Sequence, residues 1–207
     1  MASVAFPITR RYLIVKRALD VILILLALPL IVPILLACSV AVWLDSPGPI
    51  NYVQERAGRH GTPFRMYKFR TMVVNAVEMK EQLRHLSIVP APDFKIPNDP
   101  RITRVGRILR QTSLDELPQI LNVLRGEMSL VGPRPTSFMP ASYLLWHTER
   151  LEVPPGITGL WQIKGRNAAT FDERLRLDIA YIDRMSLGLD LWIIFQTVKS
   201  VFRRLGA

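Results

Sequence analysis

The run from Val21 to Leu44, VILILLALPLIVPILLACSVAVWL, contains 24 residues and no charged side chain. About 20 apolar residues suffice for a helix to cross the hydrocarbon core of a bilayer, so the chain must place this segment in lipid or fold a body around it. The run is too long for an ordinary signal-peptide core and no small-x-small site closes it, which marks it as a membrane segment. Pro29 and Pro33 lie inside it. Each removes a helical hydrogen bond and clashes with the preceding turn, which predicts a kink or break near the middle. Basic residues flank both ends, Arg10, Arg11, Lys16 and Arg17 before it and Arg56, Arg59, Arg65, Lys68 and Arg70 after it. The positive-inside tendency keeps both flanks in the cytoplasm. A re-entrant helix that enters, bends at the prolines and leaves on the same side satisfies both signals. The alternative is a single kinked span.

The chain has 207 residues, enough for this segment, set at 1–48, and one further domain at 49–207. Lysine and arginine number 27 against 17 acidic residues, a net charge of +10. That balance calls for a polyanionic partner: nucleic acid, an anionic membrane face or a nucleotide. No nucleic-acid recognition motif accompanies the charge, so nucleic acid ranks last. Cys38 is the one cysteine, which excludes an intramolecular disulfide, and no zinc-ligand spacing exists among Cys38, His60, His85 and His147.

Beyond the turn cluster at Asp45 to Pro49, Ile50 to Gln54 and Phe64 to Phe69 read as a strand pair around GRHGTP, and Val74 to Leu86 as a polar helix. A proline-rich loop follows to Pro100. Ile102 to Leu109 carries helical spacing, with Arg101, Arg104, Arg107 and Arg110 recurring every third residue as an arginine stripe. Phe171 to Asp183 reads as a helix. Leu187 to Leu205 reads as an amphipathic helix, suited to a membrane interface or to packing on a core.

Chemistry gathers in TSLDELPQILNVLRGEMSLVGPRP, residues 112 to 135. Leu117, Ile120, Leu121 and Leu124 mark one face of a helix that Asp115 and Glu116 open. Carboxylates there could serve as a nucleophile near a bound phosphate. They could equally be a capping box, with Ser113 and Glu116 satisfying free backbone donors. Arg134 sits between Pro133 and Pro135, so a stiff backbone presents a planar fork suited to phosphate. The turns PPGITG at 154 to 159 and KGRN at 164 to 167 bracket Trp161 and Gln162 and could cradle a nucleotide or sugar.

In order, KRALD at 16–20, DSPGPI at 45–50, QERAGRHGTPF at 54–64, YKFRTM at 67–72, NDPRITRVGRILRQTSLDELPQ at 98–119, NVLRGEMSLVGPRP at 122–135 and PGITGLWQIKGRN at 155–167 resemble the bacterial sugar transferase family. These are the monotopic phosphoglycosyl transferases, which load a sugar phosphate onto a polyprenyl phosphate carrier. The resemblance implies a mixed α/β, helix-rich fold with a re-entrant N-terminal helix, a compact catalytic domain on the cytoplasmic face of the bacterial inner membrane, and interfacial amphipathic helices. It implies Asp115 and Glu116 as the catalytic pair, with Asp115 the nucleophile toward a nucleoside diphosphate sugar, UDP being the nucleotide the family favours. Undecaprenyl phosphate is then the acceptor, in the first membrane step of glycoconjugate synthesis. Magnesium would be held at Asp115 and Glu116. Arg110 and Arg134 are candidates to steady phosphate, and Lys68, Arg70, Arg166 and Asn167 to hold the nucleotide sugar. Asp178 lies in a further family-like stretch. Membrane lipids are expected partners, and a homodimer is compatible with the resemblance. Two departures stand out: Val32-Pro33 replaces the family's Ser-Pro at the bend, and Gly126-Glu-Met-Ser129 replaces its Gly-Asp-Met-Ser.

Overall fold

Helix α1, Arg10–Asp45, dominates the computed structural model, which describes residues 9–88, 94, 96–136, 144–164 and 170–205, with side chains through 201. Thr9 caps it by accepting from the Tyr12 N–H. At 1.5 Å per residue its 36 residues extend about 54 Å if straight. Helical conformation runs unbroken through Pro29 and Pro33, so the expected break is not an interruption of the helix. The reason lies in where the prolines sit. Ile24, Leu28, Ile31, Leu35, Cys38 and Val42 recur at helical spacing along the face against the body, whereas both prolines are exposed on the opposite face. A proline opens the side of the helix that carries it, so any bend is concave toward the body.

Both halves of α1 pack on the same body. The first half contributes Ile24, Leu28 and Ile31 to a cluster with Phe64, Met66, Ile120, Val123 and Met128. The second contributes Ile34, Leu35, Cys38 and Val42 to a cluster with Phe69 and Leu109. Around these contacts the helix leaves Ile22, Leu25, Leu26, Leu30, Leu36 and Val40 exposed.

The KRALD motif docks the start of α1 by polar contacts. Buried Lys16 pairs with Asp190 at 2.7 Å, Arg17 donates to the Val123 and Leu124 carbonyls, and Asp20 accepts from the Ser129 hydroxyl at 2.7 Å and the Leu130 N–H. The basic flank at Lys16 and Arg17 is therefore part of the fold.

The expected strand pair is present as β1, Asn51–Ala57, antiparallel to β2, Pro63–Phe69, with Asn51 opposite Phe69. Only a short helix, α2 at Glu78–Gln82, and a following 3₁₀ turn at Arg84–Leu86 form where a longer polar helix was expected. Helix α3, Arg104–Thr112, starts on Thr103, whose hydroxyl accepts from the Gly106 N–H, and Asp45 at the end of α1 accepts from the Val105 N–H at 2.9 Å. After α4, Ile120–Arg125, strand β3, Ser129–Val131, runs parallel to β4, Gly156–Thr158. Helices α5, Leu160–Lys164, α6, Phe171–Ile182, and α7, Leu187–Leu205, complete the described chain. Helix α7 buries Asp190 and Ile193 and exposes Leu191, Trp192, Phe195 and Val198, so it is core-packing on one side and apolar to the outside on the other.

The arginine stripe loses one member on folding: Arg101 is buried on Asp99, whereas Arg104, Arg107 and Arg110 are exposed, Arg110 donating Nε to the Thr71 hydroxyl.

A candidate phosphate-transfer site

Asp115 and Glu116 occupy a 3₁₀ segment, Leu114–Gln119, between α3 and α4. This corrects the expectation of a helix opened by a capping box. Ser113 ends α3 in the left-handed conformation, φ 61°, and its side chain makes no capping bond. Pro118 lies inside this segment and has no N–H to offer the Leu114 carbonyl, so one α-helical bond is missing there. The segment is a tighter 3₁₀ turn, and α4 begins only at Ile120.

The Glu116 side chain is turned to two cations. Arg134 presents Nη1 to Oε2 at 2.9 Å and Nη2 to Oε1, and Lys68 donates Nζ to Oε1 at 2.8 Å. Strand alternation puts Lys68 on the β2 face of Phe64 and Met66, so the stripe that builds the core also delivers the lysine. Burial pushes the Glu116 carboxyl upward, but Arg134 and Lys68 outweigh it and hold the group at about 2. Burial also draws Lys68 down.

Asp115 differs from its neighbour. No hydrogen bond or ion pair to its carboxylate is present among the described residues. Burial, then the adjacent Glu116 charge, push its carboxyl up, against the pull of Lys68, Arg110 and Arg134. One carboxylate is thus clamped and the other is left without a bond, raised on balance by burial and by Glu116 in spite of the three cations nearby.

Arg134 is held from behind. Its carbonyl accepts from Arg150 Nη2, and the same nitrogen reaches buried Asp178 at 2.6 Å. The preceding turn is anchored on β4, where the Gly156 N–H donates to the Pro133 carbonyl at 2.8 Å and the Gly132 N–H to the Thr158 carbonyl at 2.9 Å. A Cβ on Gly156 would lie 2.1 Å from the Gly132 nitrogen, so glycine here permits backbone to touch backbone. The glycines of PPGITG at 156 and 159 therefore seat the Arg134 turn.

The structure brings Lys68, Asp115, Glu116 and Arg134 together, with Arg110 beside them. Arg70 stands apart: it is buried and donates to the Ser46 and Pro47 carbonyls at the end of α1. Arg166 and Asn167 lie outside the described residues. Sequence reasoning missed Arg150, which locks the Arg134 turn, and Asn122, fully buried under β2, where it accepts from the Tyr67 N–H and donates to the Arg65 carbonyl. Arg150 has no motif of its own. Asn122 opens the quoted motif NVLRGEMSLVGPRP, and that was the available signal.

Two adjacent acids ringed by cations, one acid clamped and one open, on a chain with a long exposed apolar helix, define a membrane-associated phosphate-handling protein. The chain belongs to the bacterial sugar transferase family, whose profile matches residues 11–204. It is 46% identical over 197 residues to the undecaprenyl-phosphate galactose phosphotransferase of Salmonella typhimurium, covering 93% of this chain and 41% of that protein. With the UDP-N-acetylgalactosamine-undecaprenyl-phosphate N-acetylgalactosaminephosphotransferase of Aeromonas hydrophila it shares 37% over 203 residues, covering 95% of this chain and 45% of the relative. With the exopolysaccharide production protein ExoY of Rhizobium meliloti it shares 38% over 195 residues, 90% of this chain and 84% of that one. The chain spans less than half the length of the Salmonella and Aeromonas relatives.

Proposed function

We propose that the protein transfers a sugar phosphate from a nucleoside diphosphate sugar, UDP being the favoured nucleotide, to undecaprenyl phosphate in exopolysaccharide or capsule synthesis. The observation that carries this is the asymmetry of the carboxylates: Arg134 and Lys68 bind Glu116, and Asp115 is left unbonded. In the first step an Asp115 oxygen attacks the sugar-bearing phosphorus. The bond from that phosphorus to the bridging oxygen breaks, and nucleoside monophosphate departs with the electron pair. In the second step a phosphate oxygen of the lipid attacks the same phosphorus, the bond to Asp115 breaks and the carboxylate is restored. An acyl phosphate is itself activated, so each step exchanges one reactive phosphate bond for another. Arg134 and Lys68 orient Glu116 and lower the cost of bringing an anionic diphosphate beside two carboxylates.

Magnesium suits such a site in shared form, since it is commonly held by one or two carboxylates plus substrate phosphates. Among the described residues no cluster of three or more His, Cys, Asp or Glu stands ready for a metal. Asp115 and Glu116 would be its protein ligands, and the ion would neutralise charge on the diphosphate.

A monotopic placement on the cytoplasmic face goes with this reaction. Its support is that both halves of α1 rest on one body: a crossing helix would carry Cys38 and Val42 away from Phe69 and Leu109. Cysteines introduced at the exposed positions Arg11 and Asn51 in a Cys38→Ala background should react with an impermeant thiol reagent from the cytoplasmic side only. Labelling of one from each side would refute the same-side topology. The reaction is tested by incubating purified protein with magnesium, undecaprenyl phosphate and a panel of nucleotide sugars. Monophosphate release dependent on one donor supports it; absence of release with every donor refutes it.

A further inference from the structure

Asp45 is the last residue of α1, an acid at the negative end of its own helix dipole, where a cation would be favoured. Its carboxylate serves another helix. Oδ2 accepts from the Val105 N–H at 2.9 Å in the first turn of α3, which opens on Arg104 and holds no acid of its own. The membrane helix thus supplies α3 with a negative charge and an acceptor for one of its free N–H groups. The next two residues make a second tie, since the Ser46 and Pro47 carbonyls accept from Arg70, which lies two positions beyond Lys68.

Helix α3 is held so closely that it cannot slide. A Cβ on Gly106 would lie 2.2 Å from the Thr71 carbonyl oxygen, the Thr103 N–H donates to that oxygen at 3.1 Å, and Arg110 reaches the Thr71 hydroxyl at 2.8 Å. Leu109 packs with Cys38, Val42 and Phe69, and Val105 and Leu114 lie against the same cluster. Nine helical residues therefore run from the Asp45 carboxylate to Ser113, and Asp115 follows two residues later. Glu116 is fixed by its own side chain on Arg134 and Lys68, whereas Asp115 has no side-chain bond among the described residues and takes its place from the backbone that ends α3.

We propose that Asp45 is a positioning residue: by tying the start of α3 to the end of the membrane helix, it holds Asp115 where its carboxylate can attack. This role rests on the sugar phosphate transfer above, with Asp115 as nucleophile. A mere helix cap would make the same bond with a different consequence. Thr103 is the matched control, because its hydroxyl accepts from the Gly106 N–H at 3.0 Å and belongs to the cap of α3 alone.

Single-turnover release of nucleoside monophosphate in lipid nanodiscs, with magnesium, the donor that the panel identifies and no lipid acceptor, reads the attack step. Asp45→Ala should slow release roughly tenfold, the scale of a small misplacement of a reacting group, and leave KM for the donor within about twofold of wild type. Asp45→Asn, whose amide oxygen can still accept from Val105, should stay within about threefold of the wild-type rate. Thr103→Ala should lower the melting temperature comparably and keep that rate. Hydrogen exchange needs no turnover: the amides of 113–119 should exchange faster in Asp45→Ala and not in Thr103→Ala. Should the alanine protein fail to fold, Asp45→Ser, which withdraws the acceptor by one bond, takes its place with the same expectations. Wild-type release by Asp45→Ala, or equal slowing in Asp45→Ala and Thr103→Ala, would overturn the role and spare the reaction. A wild-type protein that releases no monophosphate sinks the reaction, and the tie is then decided by exchange: faster exchange confined to Asp45→Ala upholds it, and exchange alike in both variants overturns it.

Discussion

Arg134 meets Glu116 fork to fork, Nη1 on Oε2 at 2.9 Å and Nη2 on Oε1, from a turn whose carbonyl is itself gripped by Arg150. A planar guanidinium matches both carboxylate oxygens at once, and an ammonium does not. Arg134→Lys should therefore keep the charge and lose the alignment, lowering kcat for monophosphate release by roughly tenfold to a hundredfold. Steady-state kinetics with wild-type kcat in the lysine variant would show that point charge alone suffices.

Acid and mild-acid behaviour should separate Glu116 from Asp178. Glu116 is held at about 2, below its ordinary 4.5, so its contribution to stability is complete above about pH 4.5 and is lost as pH falls through about 2. Asp178 has the opposite sign. Burial outweighs the pull of Arg150 and lifts it from 3.8 to about 6, so the folded state holds its proton more tightly and stability falls as pH rises across that interval. Melting temperatures followed from pH 2 to 7 should lose the first slope in Glu116→Gln and the second in Asp178→Asn. Slopes identical to wild type in both variants would contradict these assignments.

Gly156→Ala should destabilise the fold severely, because its Cβ would lie 2.1 Å from a backbone nitrogen that no rotamer change can move aside. A loss of about 2 kcal/mol or more is expected from such overpacking. Gly188→Ala is the contrast, since a Cβ there meets nothing within 4 Å and α7 gains helix propensity. Chemical denaturation of the two variants checks the difference; equal stability would sink the close-approach explanation.

The apolar run, the β1–β2 pair and most helices were legible because their periodicities and turn residues are local signals. Motif order pointed to Lys68, Asp115, Glu116 and Arg134 as candidates, yet how they are arranged was not legible. Ser113-x-x-Glu116 has the spacing of a cap, and only the partners Lys68, 48 residues away, and Arg134, 18 residues away, decide that Glu116 faces inward. Lys16 read as a flank charge for the same reason: its partner Asp190 is 174 residues distant.

Lys16→Met should cost about 3 to 5 kcal/mol, since it strands the buried Asp190 carboxylate, which then keeps only the Tyr12 and Tyr181 hydroxyls. Adding Asp190→Leu should recover most of that loss. Urea unfolding of the single and double variants measures it, and strict additivity of two losses would show the pair to be uncoupled.

The covalent step is tested most directly by intact-protein mass measurement after mixing enzyme, magnesium and the matched nucleotide sugar without lipid acceptor. Wild type should gain the mass of one sugar phosphate less water and release one nucleoside monophosphate, and adding undecaprenyl phosphate should discharge the adduct. Asp115→Asn should gain nothing and lose turnover by at least about a thousandfold, as expected on removing a covalent nucleophile. An adduct that persists in Asp115→Asn, or normal turnover by that variant, would contradict the assignment of Asp115 as the nucleophile.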